Sequence, residues 1–188
     1  MSALDDAELI HADDRATWRA WLEANHASTR GVWLVTRRRV GLGYEAAVEE
    51  ALCFGWIDGT TGRLDDERGK QYFAPRKPRS GWAATNKVRI ERLLAQGLLA
   101  PAGLAVIERA KADGSWTLLD AVERLEVPED LAAALAAHPP AAEHFAAFPP
   151  TARKQMLTWV VTAQRPQTRA SRVAAIAEAA ASNQRARG

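Results

Sequence analysis

The sequence predicts an α+β fold. A small antiparallel or mixed sheet with helices occupies residues 1–120, and an all-helical module over residues 121–188 packs against it. Three observations predict this. Short runs near residues 32–36 and 56–74 are rich in β-branched and aromatic residues and are bounded by glycine or charge. Apolar residues elsewhere recur at helical spacing. Beyond Trp116 the strand signals stop, and prolines separate one helical segment from the next.

Taken in order, Trp18, Trp21 and Leu22 fall at i, i+3, i+4, with Asp13 or Asp14 placed to cap a helix running to Asn25. Val32-Trp33-Leu34-Val35-Thr36, between Gly31 and Arg37-Arg38-Arg39, has the pattern of a buried strand. After Gly41 and Gly43, the segment from Tyr44 to Phe54 places Ala47, Val48, Ala51 and Leu52 on one helical face and Glu45, Glu49 and Glu50 on another. Gly55 stops that helix.

Trp56 to Leu64, a polar turn at 65–69, and Lys70 to Ala74 read as a hairpin. Pro75 and Pro78 hold Arg76, Lys77 and Arg79 in an extended loop. A helix with Val88, Ile90, Leu93 and Leu94 ends at Gly97, and Pro101 opens another that carries Leu104, Val106, Ile107 and Ala110. Four proline-bounded helices follow: 128–137, 139–148, 149–163 and 166–180. The third carries a stripe of Met156, Trp159, Val160 and Ala163. The stretch 115–127 is the candidate boundary; being short and not Gly/Ser-rich, it reads as a junction within one compact unit.

Composition narrows the function classes. With 26% charged and 47% hydrophobic residues among 188, neither disorder nor a collagen-like repeat fits. One cysteine, Cys53, leaves no internal disulfide; it sits beside Leu52 and Phe54 and reads as an inert core thiol with no local cation to activate it. No basic-plus-apolar leader and no long apolar run are present, so a cytoplasmic setting without a membrane span is expected. The four histidines lack metal-ligand spacing, and no phosphate-cradling glycine loop or nucleophile elbow occurs, so no cofactor or metal is expected.

Charge is segregated behind a net value of +2. Residues 68–92 hold eight basic side chains and one acidic; residues 151–188 hold seven and one. Trp56 and Asp58, two apart on a strand, share a face and form either a pocket wall with a polar handle or a core ring beside a turn-binding carboxylate. The 75–82 loop interleaves Arg76, Lys77 and Arg79 with Trp82. Asn86, Arg89 and Arg92 then recur every three residues, a row able to grip a carboxylate or phosphate, or to stand solvated and paired to acids.

Arg165, Arg169 and Arg172 form a second row. Cations at a helix N-terminus oppose its dipole, so this row calls for a partner: Asp58, the 65–67 turn or an anionic ligand. Of the seven tryptophans, Trp18, Trp21, Trp33 and Trp159 read as core and Trp116 as the fastener of the junction, which leaves Trp56 and Trp82 as site candidates.

Three runs resemble the YdeI/OmpD-associated, or bacteriocin-protection, family. They are Ala46 to Gly59, Phe73 to Trp82 with Asn86, and Trp159 to Val173. The likeness spans about residues 14–180, and the helical segment from Val127 resembles the family's C-terminal module by itself. Gln164 and Gln167 depart from the Lys and Glu usual in the family, and the stretch from Gly81 to Ala84 is less polar than usual. The resemblance implies protection against antimicrobial peptides and an association with an outer-membrane porin, and it implies no reaction or cofactor.

The function expected from residues and resemblance together is binding of a small molecule or peptide bearing an anionic or carbonyl group. The expected site is Trp56, Asp58, Arg76, Trp82 and Asn86, completed by Arg169 and Arg172. The alternatives are a hydrolase- or isomerase-type enzyme using Asp58 with an arginine clamp, and nucleic-acid binding through the basic segments, which the small net charge disfavours.

Overall fold

The computed structural model describes residue 4 and residues 6–37 and 40–186. It bears out the α+β class: a four-stranded mixed sheet with helices in the N-terminal part, then helices alone. The chain divides into two compact units, Met1–Arg79 with Thr85–Asp113, and Ser80–Ala84 with Gly114–Gly188.

In the first unit the elements are β1 (Leu9–His11), α1 (Arg15–Asn25), β2 (Val32–Arg37), α2 (Tyr44–Cys53), β3 (Trp56–Arg63), β4 (Arg68–Pro75), α3 (Ala84–Ala95, from residue 85) and α4 (Pro101–Ala112). The sheet order is β1-β2-β4-β3, with β1 parallel to β2 and the other pairs antiparallel. The predicted hairpin is β3–β4. β1 escapes sequence reading because three residues with a single buried side chain carry no period. Arg38 and Arg39, which bound β2 in the sequence, lie outside the described residues.

The helix starts follow local chemistry. The Asp14 carboxylate accepts the Thr17 N–H at 2.8 Å and caps α1. Trp18 and Leu22 are buried; Trp21 is only half-buried and stacks on Trp18 at 5.3 Å. Gly55, at φ +74, turns the chain from α2 into β3. Gly103 of α4 lies against the end of α2, where an added Cβ would overlap the Cys53 carbonyl.

Three helix faces differ from what spacing alone suggests. Glu49 and Glu50, set apart from the apolar face of α2 by their spacing, are nevertheless buried, at 5% and 4% exposure. Glu49 pairs with Arg15 and Arg92, and Glu50 pairs with Arg15 at 3.1 Å and Arg19 at 3.0 Å. These cations, drawn from α1 and α3, are what let two adjacent carboxylates leave water. On α3 the inward residues are Asn86, Ile90 and Leu93, while Val88 and Leu94 are exposed; on α4 they are Gly103, Ile107 and Ala110, with Leu104 exposed. In each case neighbouring elements cover a narrower arc than the apolar residues span.

The second unit holds α5 (Asp120–Glu123), α6 (Glu129–Ala136), α7 (Ala141–Ala147), α8 (Pro150–Val161) and α9 (Pro166–Ala181). The four predicted helices are present, and the one-turn α5 is additional. Leu131, Leu135, Phe145, Met156, Leu157 and Ile176 centre its core. Trp159 is not core as its stripe implied; it is half-buried at the edge of that cluster.

Candidate functional site

In the first unit, Asp58 on β3 gathers side chains from three elements. The Tyr44 hydroxyl, from the first turn of α2, donates to Asp58 Oδ2 at 2.9 Å. The Gln71 amide, from β4, donates to the same oxygen at 3.2 Å. Asp58 Oδ1 accepts no hydrogen bond among the described residues. Beside this group Leu34, Thr36, Tyr44, Thr61 and Gln71 line a pocket of about 200 Å³.

Strand register explains how these side chains share a face. Asp58 stands opposite Phe73 and Thr61 opposite Gln71, with a bulge between them. Three residues on β3 thus match two on β4, and the extra residue returns Thr61 to the face of Asp58 and Gln71. Leu34 and Thr36 of β2, opposite Gln71 and Gly69, extend the same face.

Burial and the Asp58 carboxylate push the Tyr44 phenol above its usual range, so it remains a donor through neutral pH. Arg76 is buried, and desolvation pulls its guanidinium down to about 10 against the opposing pull of the Asp58 charge. Arg89 lies over the Tyr44 ring at 5.9 Å and donates to both oxygens of Glu45, at 3.0 and 2.6 Å. Those bonds, with Arg92, hold the Glu45 carboxyl down at about 2.

The residues singled out in the sequence fall into separate settings. Asp58, Arg76 and Asn86 belong to the first unit, but Asn86 accepts a 2.7 Å bond from Arg89 and serves the ionic row. Trp56 is in the core at 1% exposure, its indole donating to the His26 carbonyl at 3.2 Å. Trp82, Arg169 and Arg172 belong to the second unit.

There, Trp82 is buried with its ring 4.8 Å from Trp116. Arg169 is paired neither with Asp58 nor with the 65–67 turn. It donates to both oxygens of Asp130, at 2.6 and 2.9 Å, and this bidentate pair offsets the cost of a cation at the start of α9. Arg172 donates to the Trp159 carbonyl at 2.5 Å and packs over its ring.

Members of the basic run 68–92 are matched by acids, near or distant in sequence, or by aromatic rings. Arg68 pairs with Asp65, Lys70 lies 4.3 Å above the Trp33 ring, and Arg89 and Arg92 bind Glu45 and Glu49. Cys53 does have a cation near it, Arg19, contrary to expectation; burial still raises its thiol above the usual range, so it stays protonated. Tyr44, Gln71 and Thr61 were missed: the first two reach Asp58 from other elements, and nothing in a sequence marks the bulge that brings Thr61 to its face.

Among the described residues no group of His, Cys, Asp or Glu has the makings of a metal site, and no helix is long and apolar enough to cross a membrane.

A small mixed sheet with a pocket lined by Tyr44 and Gln71, the two donors to Asp58, followed by a helical unit, defines a two-part protein whose halves match different families. The chain belongs to the family described as Domain of unknown function (DUF8412), matched over residues 10–106. Residues 124–183 match the family described as Bacteriocin-protection, YdeI or OmpD-Associated, so that likeness is shown for the helical unit. No curated protein and no solved structure gives a significant match.

Proposed function

We propose that the first unit binds a small peptide-like ligand in the pocket beside Asp58, and that this binding serves a role in protection against an antimicrobial compound. The observation that carries the reading is the fixed carboxylate. Tyr44 and Gln71 each donate to one oxygen of Asp58 and orient the other, which accepts from no donor among the described residues. A backbone amide of the ligand supplies the missing donor, and the Thr36 and Thr61 hydroxyls at the pocket lining are matched to its carbonyls. Such a ligand keeps the carbonyl group expected from the sequence. Its anionic character is dropped, since the nearby guanidinium row is engaged by Glu45 and Glu49.

The match of residues 124–183 to a bacteriocin-protection family supports the biological half of the proposal. The test is calorimetric titration of the full chain with a panel of capped dipeptides and short antimicrobial peptides. Asp58→Ala and Thr61→Val are expected to weaken binding roughly tenfold each, the size of one lost polar contact. Binding that both variants leave unchanged overturns the assignment.

A further inference from the structure

The second unit carries an open groove of about 1240 Å³ between α8 and the segment after α9. Gln155, Thr158 and Trp159 form one wall, and Asn183, Gln184 and Arg185 form the other. Neither family description nor the proposed peptide site concerns it.

Its walls are held firmly. Asn183, at φ +54, ends α9 in the left-handed conformation; its N–H bonds the Ala180 carbonyl at 2.9 Å and that of Gln184 bonds Ala179 at 2.8 Å. This paired closure of a helix C-terminus fixes where the following residues point. On the other wall Arg172, which does not line the groove, backs Trp159. Its guanidinium lies 5.3 Å from the ring centroid and bonds the Trp159 carbonyl.

Apart from the Thr162 hydroxyl, which donates to the Thr158 carbonyl at 2.7 Å, the polar side chains at this surface are unspent. Among the described residues, the Trp159 indole N–H, the Thr158 hydroxyl, the side chains of Gln155, Asn183 and Gln184, and the Arg185 guanidinium make no hydrogen bond or ion pair with protein. Among the described residues no carboxylate lines the groove. An aromatic plate kept half-exposed, ringed by neutral amides and a hydroxyl, suits a ligand with both a C–H face and many hydroxyls.

We propose that this groove is a carbohydrate-binding site, with a sugar ring laid on Trp159 and its hydroxyls bonded to Thr158 and the side-chain amides. Its extent fits an oligosaccharide, and Arg185 adds a preference for acidic sugars where one reaches it.

Saturation-transfer NMR of the full chain with chitotriose, maltotriose and trigalacturonate tests this. Transfer is expected from at least one of them at millimolar concentration, and it should fall roughly tenfold in apparent affinity in Trp159→Ala. Because that variant removes a packed ring, the surface double variant Gln155→Ala/Gln184→Ala provides a second reading and is expected to weaken binding while the helical circular-dichroism signal stays intact. Transfer from trigalacturonate alone, lost in Arg185→Ala, identifies the acidic class. Absence of transfer from all three sugars, or transfer that the double variant leaves unchanged, overturns the proposal.

Discussion

The Tyr44 hydroxyl donates to Asp58 Oδ2 across 2.9 Å, tying the first turn of α2 to strand β3. The bond does two jobs: it fixes the carboxylate and closes one side of the pocket. Tyr44→Phe is expected to cost about 0.5–1 kcal/mol, the low end for a hydrogen bond because Tyr44 is 52% exposed. The phenol is raised in the fold, so its contribution is present below its unfolded value near 10 and is lost as the pH rises past it. Denaturant titrations at pH 8 and 11 should show a loss in the wild type that Tyr44→Phe lacks.

Glu45 provides the acid-side counterpart. Arg89 and Arg92 hold it at about 2, below its usual 4.5. A carboxyl depressed in the fold contributes stability above its unfolded value, and that contribution is lost as the pH falls from about 4.5 through 2. The side chain is 52% exposed, so solvent screening limits the effect to about 0.5–1 kcal/mol. Glu45→Gln should flatten the acid limb of the stability curve; equal slopes in both proteins would contradict the assignment.

Gly103→Ala places a methyl against the Cys53 carbonyl, which is backbone and unable to step aside. A loss of about 1–3 kcal/mol is expected, read as a lower denaturation midpoint with an unchanged slope. A neutral or stabilising result, as helix propensity alone would give, would mean that α4 stands farther from α2 than described.

The Arg169–Asp130 pair lends itself to a double-mutant cycle with alanine at each position. A coupling of about 0.5–1 kcal/mol is expected, shrinking at high salt because both groups are partly exposed. Zero coupling at low salt would leave the cation at the start of α9 unexplained.

How much of this was legible beforehand differs between fold and site. The capping Asp14, the glycine-bounded strand, the hairpin and the proline-bounded helices are local signals, and they located most elements. Partners are not local. Glu49 and Glu50 look like a solvent face until Arg15, Arg19 and Arg92 arrive from α1 and α3. Arg169 looks like a ligand group until α6 presents Asp130. Asp58 was found from its neighbours in sequence, but Thr61 reaches its face only through a bulge that no residue pattern announces.

On the proposed reading, the oriented Asp58 carboxylate receives a donor from a peptide-like ligand. Its most direct measurement is the calorimetric affinity of the wild type and Asp58→Ala for the tightest-binding capped peptide of the panel. Binding roughly tenfold weaker is expected in the variant. Equal affinities in the two proteins would contradict it.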